Sequence, residues 1–258
     1  MRLTHIGGPT VLIEAHGWRL LVDPTFDPPG RTYKFGWGTS STKVRGPALS
    51  PADVLPVDAV LLSHDHHADN LDDAGRRLLD EVATTVTTSS GATRLGGRTR
   101  GLSAWGETTL EASGLPALHI TATPARHGPR FSRPIAGEVI GFLISWPEVD
   151  PEQTYITGDT VLHAGVRDVA ARHRVDVLLM HLGGVGFGFT GPIRYTMTGR
   201  DGAELVRLVD PRAAIPVHYE GWSHFLEPPE EMARALGALS PGLRDRVVSL
   251  EPGIAQDI

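Results

Sequence analysis

Residues 63 to 70 read SHDHHADN and follow the apolar run Asp58-Ala-Val-Leu-Leu62, so histidines and carboxylates leave the end of a strand together. Neutral imidazole and carboxylate suit zinc, iron or manganese, and a strand end holds them more firmly than a mobile loop would. His64 and His66 can face one ion if the chain stays extended there; a solvated polar turn rich in His is the plainer alternative. Three further ligand types stand in the same kind of place. His127 comes after Leu118–Thr123, Asp159 after Thr154–Thr157 and a Gly, and His218 after Ala213–Val217, each run apolar and strand-like.

In that order the chain resembles the metallo-β-lactamase superfamily, in the branch of lactonase-like hydrolases and phospholipase-D-like enzymes of N-acyl phosphatidylethanolamine. The resemblance spans nearly the whole length through LTHIGGPTVLIE, LLVDPTF, SHDHHADNLD, TPARHG, YITGDT and YTMTGRDGAELVRLVDPRAAIPVHYEGWSHF. It implies that His64, His66 and His127 hold one metal, and that Asp159 bridges to a second that His218 also binds. The family motif HxHxDH is altered here. Without a gap, Ala68 and Asp69 stand at its last two ligand places; with one inserted residue, Asp69 matches the Asp, Asn70 the His, and Leu71-Asp72 the following LD. The second register is preferred, and either one leaves Asp69 as the acidic ligand. Either also leaves the second site poorer in imidazole, which favours a weaker hold or a harder ion such as manganese. One or two divalent ions are implied, zinc first, with manganese or iron as alternatives.

Other residues have a functional and a structural reading side by side. His67 faces either the ion or the outer helix. His181 precedes Gly183-Gly184 and His224 follows His218 closely, so both are candidates for contact with substrate. Asp23 ends LLVDP, where it serves either as a turn-forming Asp before Pro or to orient a ligand His. Tyr33, Phe35, Trp37, Phe187 and Phe189 lie on irregular, Gly-rich stretches and read as walls of a substrate pocket. His5, His16, His119, His163 and His173 read as structural or solvated. The glycines of GGVGFGF lack the GxGxxG spacing of a dinucleotide cradle, and no nucleophile-elbow motif points to a covalent serine mechanism.

What elements must position these groups? Alternation over Thr10–Glu14 and Arg19–Val22 reads as an amino-terminal hairpin, followed by a long loop to about Pro51. Helical spacing runs from Asp69 to Val82 and strands follow at Thr84–Thr88, Thr108–Glu111, His119–Thr123 and Val139–Trp146. The second half alternates strand and helix. With 258 residues, 40% of them hydrophobic, one domain over 1–258 is expected. The pattern agrees with the α/β (α+β) four-layer αββα sandwich that the resemblance implies, two mixed β-sheets flanked by helices with the site along one edge.

The chain has no Cys, which leaves His, Asp, Glu and Asn as ligands. A formal charge of −6 disfavours a nucleic-acid partner. No leader pattern precedes the first strand and no apolar stretch approaches the roughly 18 residues of a membrane span, so a cytoplasmic location is the default expectation. The partner expected is a small-molecule substrate; a homo-oligomer stays open, because aromatic loops that grip a ligand and loops that meet a second copy read alike.

The resemblance implies hydrolysis of a small ester, lactone or phosphodiester by a metal-bound hydroxide, with Asp69 or Asp159 also able to take a proton. A phosphodiester would call for cations near the mouth, for which Arg126, Arg130, Arg133 and Arg194 are candidates. The alternative is a metal-binding protein of the same fold with a degenerate second site and no turnover. Di-iron redox chemistry is disfavoured, because the branch that performs it carries Glu where this chain has His66.

Overall fold

The protein, seen in a computed structural model, is described at every residue but Trp37, with Phe189 described by its backbone alone. Strands β1 (Arg2–Gly7), β2 (Thr10–Ala15) and β3 (Trp18–Val22) open the chain. A separate hairpin of β4 (Thr32–Gly36) and β5 (Thr39–Thr42) follows, then the short helix α1 (Pro51–Val54), β6 (Ala59–Leu61) and α2 (Asp73–Leu78). Next come β7 (Thr84–Thr88), α3 (Ser89–Leu95), β8 (Thr99–Leu102), β9 (Glu107–Leu110), β10 (Leu118–Pro124) and α4 (Arg133–Ala136). The rest is β11 (Ile140–Trp146), β12 (Asp150–Ile156), α5 (Ala164–Arg172), β13 (Val177–His181), α6 (Gly199–Val209), β14 (Ala213–Val217), α7 (Pro229–Gly237), α8 (Pro241–Arg244) and β15 (Ala255–Asp257).

Two mixed sheets result, ordered β15-β1-β2-β3-β6-β7-β8 and β14-β13-β12-β11-β10-β9. Alternation decides the layers. Leu3, Val11, Ile13, Leu20, Leu61, Phe142, Ile144, Leu179 and Ile215 fill the space between the sheets. Their odd-numbered or even-numbered neighbours face outward and meet helices: Leu21, Val60 and Leu62 cover Val54 and Leu78, while Tyr155, Leu178 and Met180 cover Val166, Val169, Leu205 and Met232. Both faces of β6, β13 and β14 are therefore buried, the burial pattern of parallel strands. This is the expected αββα sandwich of two mixed sheets flanked by helices.

Two expectations change. The helix read over Asp69–Val82 is confined to Asp73–Leu78 and a 3-10 turn at Leu79–Glu81, because Asp72 caps it by accepting from Gly75 N at 2.9 Å and so holds residues 69 to 72 outside. The loop before Pro51 contains the β4–β5 hairpin, whose short strands, TYKFG and TSST, carry only Tyr33 and Phe35 as apolar signal.

Parallel pairing brings functional groups to one edge. In the register Val22↔Leu61, strands β3 and β6 end together and deliver Asp23 and Ser63-His64; β12, β13 and β14 likewise run parallel and deliver Asp159, His181 and His218. In open α/β sheets the ends of parallel strands are where ligands bind. No helix among the described residues is long and apolar enough to cross a membrane.

Candidate metal centre

Three imidazoles converge first. His64 Nε2 lies 3.2 Å from His67 Nδ1, and His127 Nε2 lies 3.2 Å from the same atom. The Nδ1 of His127 is 2.9 Å from the Tyr195 carbonyl, so that nitrogen donates and Nε2 is left with a lone pair for a cation. His64 Nδ1 meets Ser63 Oγ at 3.0 Å. Burial disfavours the charged form of all three rings; it puts His64 well below the ordinary imidazole range, His67 at about 4 and His127 at about 3. Neutral imidazole is the form that ligates a metal.

Beside them sit Asp69, Asp159 and His218, each buried. His218 Nε2 is 3.4 Å from Asp69 Oδ2 and its Nδ1 is 3.4 Å from Asp159 Oδ1. Burial pushes Asp159 up to about 7, whereas Asp69, which burial would also raise, is held well below the carboxylate range by His224 and His218. His218 resists its own burial through Asp159 and Asp69 and rises to about 9. Asp69 Oδ1, Asp159 Oδ2 and both ring nitrogens of His218 are buried without a hydrogen-bond partner. Unsatisfied buried polar atoms are costly, and a divalent cation that displaced the proton which Asp159 and Asp69 favour on His218 would satisfy carboxylate and imidazole lone pairs at once.

Backbone conformation matters here. His218 and Asp23 adopt φ of 57° and 40°, a region few non-glycine residues occupy. Gly158 at φ 59° allows the turn into Asp159, since a Cβ there would stand 2.5 Å from the Ile140 carbonyl oxygen.

The residues singled out in the sequence divide as follows. His64, His127, Asp69, Asp159 and His218 come together. His66 does not join them, and His67 occupies the place beside His64 and His127. The chain bends after His64 instead of staying extended: Asp65 is clamped by Arg94 at 2.8 and 2.6 Å, and the amides of Asn70 and Leu71 close a turn on the His67 carbonyl. His66 is thereby turned outward, its Nε2 accepting from Arg94 at 3.0 Å. Asn70 donates to Asp23 Oδ2 at 3.2 Å and to Ser63 Oγ at 3.4 Å. Asp23 also accepts from the Ser63 amide at 2.6 Å and stands 3.2 Å from His181 Nε2, so Asp23, Asn70 and His181 form a buried polar layer behind the ligand groups.

His224 lies over the cluster, its Nε2 2.9 Å from Asp69 Oδ2 and its Nδ1 2.5 Å from Ser41 Oγ on the hairpin. Above His67, Asp69, His127 and His224 opens a narrow cleft walled by Phe35, Val185, Phe187 and Tyr195. Tyr33 is not in its wall: the ring is buried and its hydroxyl donates to Asp27 Oδ2 at 2.5 Å. Trp37 lies outside the described residues. The aromatics read on irregular backbone included Phe35 and Phe187; nothing local marked Tyr195 or Thr39, which reach the cleft through tertiary contact alone.

A helix-covered double sheet with His and Asp gathered at the strand ends defines the αββα metallohydrolase type of scaffold. A model of the beta-lactamase superfamily domain matches residues 18–219, and the chain belongs to that superfamily. It is 27% identical over 256 residues to a metal-dependent hydrolase of Caldivirga maquilingensis, covering 97% of this chain and 95% of that one. Among solved structures, a possible metal-dependent hydrolase of Veillonella parvula superposes with TM-score 0.81 at 20% identity, covering 100% and 99% of the two chains. An isothiocyanate hydrolase from Delia radicum gut bacteria gives TM-score 0.80 at 20% identity with the same coverage.

Proposed function

We propose that this protein is a metal-dependent hydrolase of a small ester, lactone or phosphodiester. The observation that carries the reading is the pair of adjacent donor groups, His64/His67/His127 and Asp69/Asp159/His218, beneath one cleft, with carboxylate and imidazole atoms of the second group buried without a hydrogen-bond partner. The curated relatives named metal-dependent hydrolases support it.

His64, His67 and His127 would hold one ion, and Asp69, Asp159 and His218 a second. Ions held there supply Lewis acidity, bringing the pKa of water towards about 7 and favouring negative charge on the reacting oxygen. The chain's own residues do the rest. Asp69 and Asp159 are the carboxylates able to take a proton from the attacking water. His224, bonded to Asp69 and facing the cleft, is the group placed to move that proton toward a leaving oxygen. In the net reaction a water oxygen bonds to the electrophilic centre, the bond to the leaving oxygen breaks, and the leaving group departs with a proton.

The test is elemental analysis of protein purified without chelator, with turnover measured on p-nitrophenyl acetate, a lactone panel, bis(p-nitrophenyl) phosphate and an aryl isothiocyanate under added zinc, manganese or iron. Two ions per chain with metal-dependent turnover are expected. Bound metal with no turnover on any of these would replace the reading with a metal-binding role.

A further inference from the structure

The cleft has a chemical character of its own. Phe35, Phe187 and Tyr195 ring its opening: Phe35 meets Phe187 with centroids 6.4 Å apart and edge-on, and Phe187 meets Tyr195 edge-on at 5.8 Å. The same rings cover the polar floor, Phe187 stacked on His224 at 5.7 Å and Phe35 over His67 at 5.1 Å. The space they leave is narrow, ≈ 30 Å³.

No Arg or Lys lines this cleft among the described residues. The arginines near it in sequence are absent from its lining, Arg126 and Arg133 facing an adjoining pocket. Arg133 pairs with Glu138 at 2.8 Å, Arg126 donates to the Gly128 carbonyl at 3.2 Å, Arg194 donates to the carbonyls of Gly191 and Ile193, and Arg130 lies over Phe131. Aromatic faces carry negative charge density and attract cations, so these walls give a phosphodiester anion no attraction of their own and leave it only the ions proposed at the floor. Apolar walls instead gain by burying an uncharged, apolar ligand.

The opening is also preformed. The hairpin bearing Phe35 is tied across the site by Ser41 Oγ to His224 Nδ1 at 2.5 Å and by the Thr42 amide to Ser223 Oγ at 2.9 Å.

We infer that Phe35, Phe187 and Tyr195 form a selectivity throat that admits a slender, uncharged carbonyl substrate, an ester or lactone with a small acyl group, and rejects phosphodiesters. This narrows the hydrolase reading given above and rests on it.

Two experiments separate the claims. In the first, wild type, Phe35→Ala and Phe187→Ala are assayed on p-nitrophenyl acetate, p-nitrophenyl pivalate and bis(p-nitrophenyl) phosphate. Wild type should prefer acetate to both others. Each variant should raise kcat/KM for pivalate relative to acetate by about tenfold or more, the scale on which an apolar pocket discriminates. In the second, the cobalt-substituted protein is titrated with acetohydroxamic acid, uncharged at neutral pH, with its bulkier pivaloyl analogue, and with dimethyl phosphate, and the visible spectrum reports arrival at the ion. The small neutral probe should shift the spectrum, dimethyl phosphate should not, and the bulky neutral probe should do so only in the variants. That spectral pattern without turnover of any ester would uphold the throat and remove the hydrolase reading. A response to dimethyl phosphate as ready as to acetohydroxamic acid, a preference for the phosphodiester, an unchanged pivalate-to-acetate ratio in both variants, or failure to take up cobalt would overturn the inference.

Discussion

His67 Nδ1 and His127 Nε2 lie 3.2 Å apart across 60 residues of chain, while His66, next to His67, faces Arg94. Substitution should therefore separate the neighbours. His67→Ala is expected to cost more than about 100-fold in metal affinity, beyond the 10–100-fold typical of losing a partner one layer out, whereas His66→Ala should retain its ion. Elemental analysis after dialysis against graded chelator measures the difference; equal loss in both variants would reject the assignment.

Asp23 should matter without touching an ion. Its carboxylate accepts from Ser63 and Asn70 and faces His181, fixing the strand end from which His64 departs. Asn tolerates positive φ, so Asp23→Asn removes charge while keeping the backbone. About 10–100-fold weaker metal binding is expected, with circular dichroism unchanged.

Stability should depend on a buried ion pair outside the two donor clusters. Lys43 Nζ lies 2.8 Å from Asp72 Oδ2, both side chains almost fully buried, and Asp72 also accepts from the amides of Phe26, Asp27 and Gly75. Asp72→Ala strands the ammonium and empties the cap, so a loss of about 3–5 kcal/mol is expected in urea unfolding. Lys43→Met, which removes the buried cation, should cost less.

Gly75 is a packing test. A Cβ there would stand 1.9 Å from the Pro24 carbonyl oxygen, backbone against backbone, so α2 must shift to accept it. Gly75→Ala is expected to destabilise by about 1–3 kcal/mol although Ala favours helix, and a gain in stability would refute the close approach.

Metal removal should lower the melting temperature. A ligand that binds only the folded chain stabilises it by RT ln(1 + [L]/Kd), about 2.7 kcal/mol at a hundredfold excess over Kd. Scans of chelated protein with zinc or manganese added back should show a concentration-dependent rise; none would argue against an ion at either group.

Much of this was legible in the chain itself. Alternation marked the amino-terminal hairpin and continuous apolar runs marked strands buried on both faces, and His127, Asp159 and His218 announced themselves because each directly follows such a strand-like run. Phe35 and Phe187 read as pocket walls because they are large aromatics on Gly-rich stretches, although Phe35 stands on the β4 strand of a small hairpin. The β4–β5 hairpin was illegible: its polar strands take shape from contacts with Trp222, Ser223 and His224 far along the chain.

The amino-acid sequence determined the layers, the edge and the types of ligand, since periodicity and composition act locally and add up along the chain. Which histidine faces the cluster was decided only in three dimensions. His64 and His66 share a side on an extended chain, and His64 and His67 share one on a bent chain. The choice rests on Arg94 clamping Asp65 from α3, an ion pair across 29 residues that no local pattern encodes.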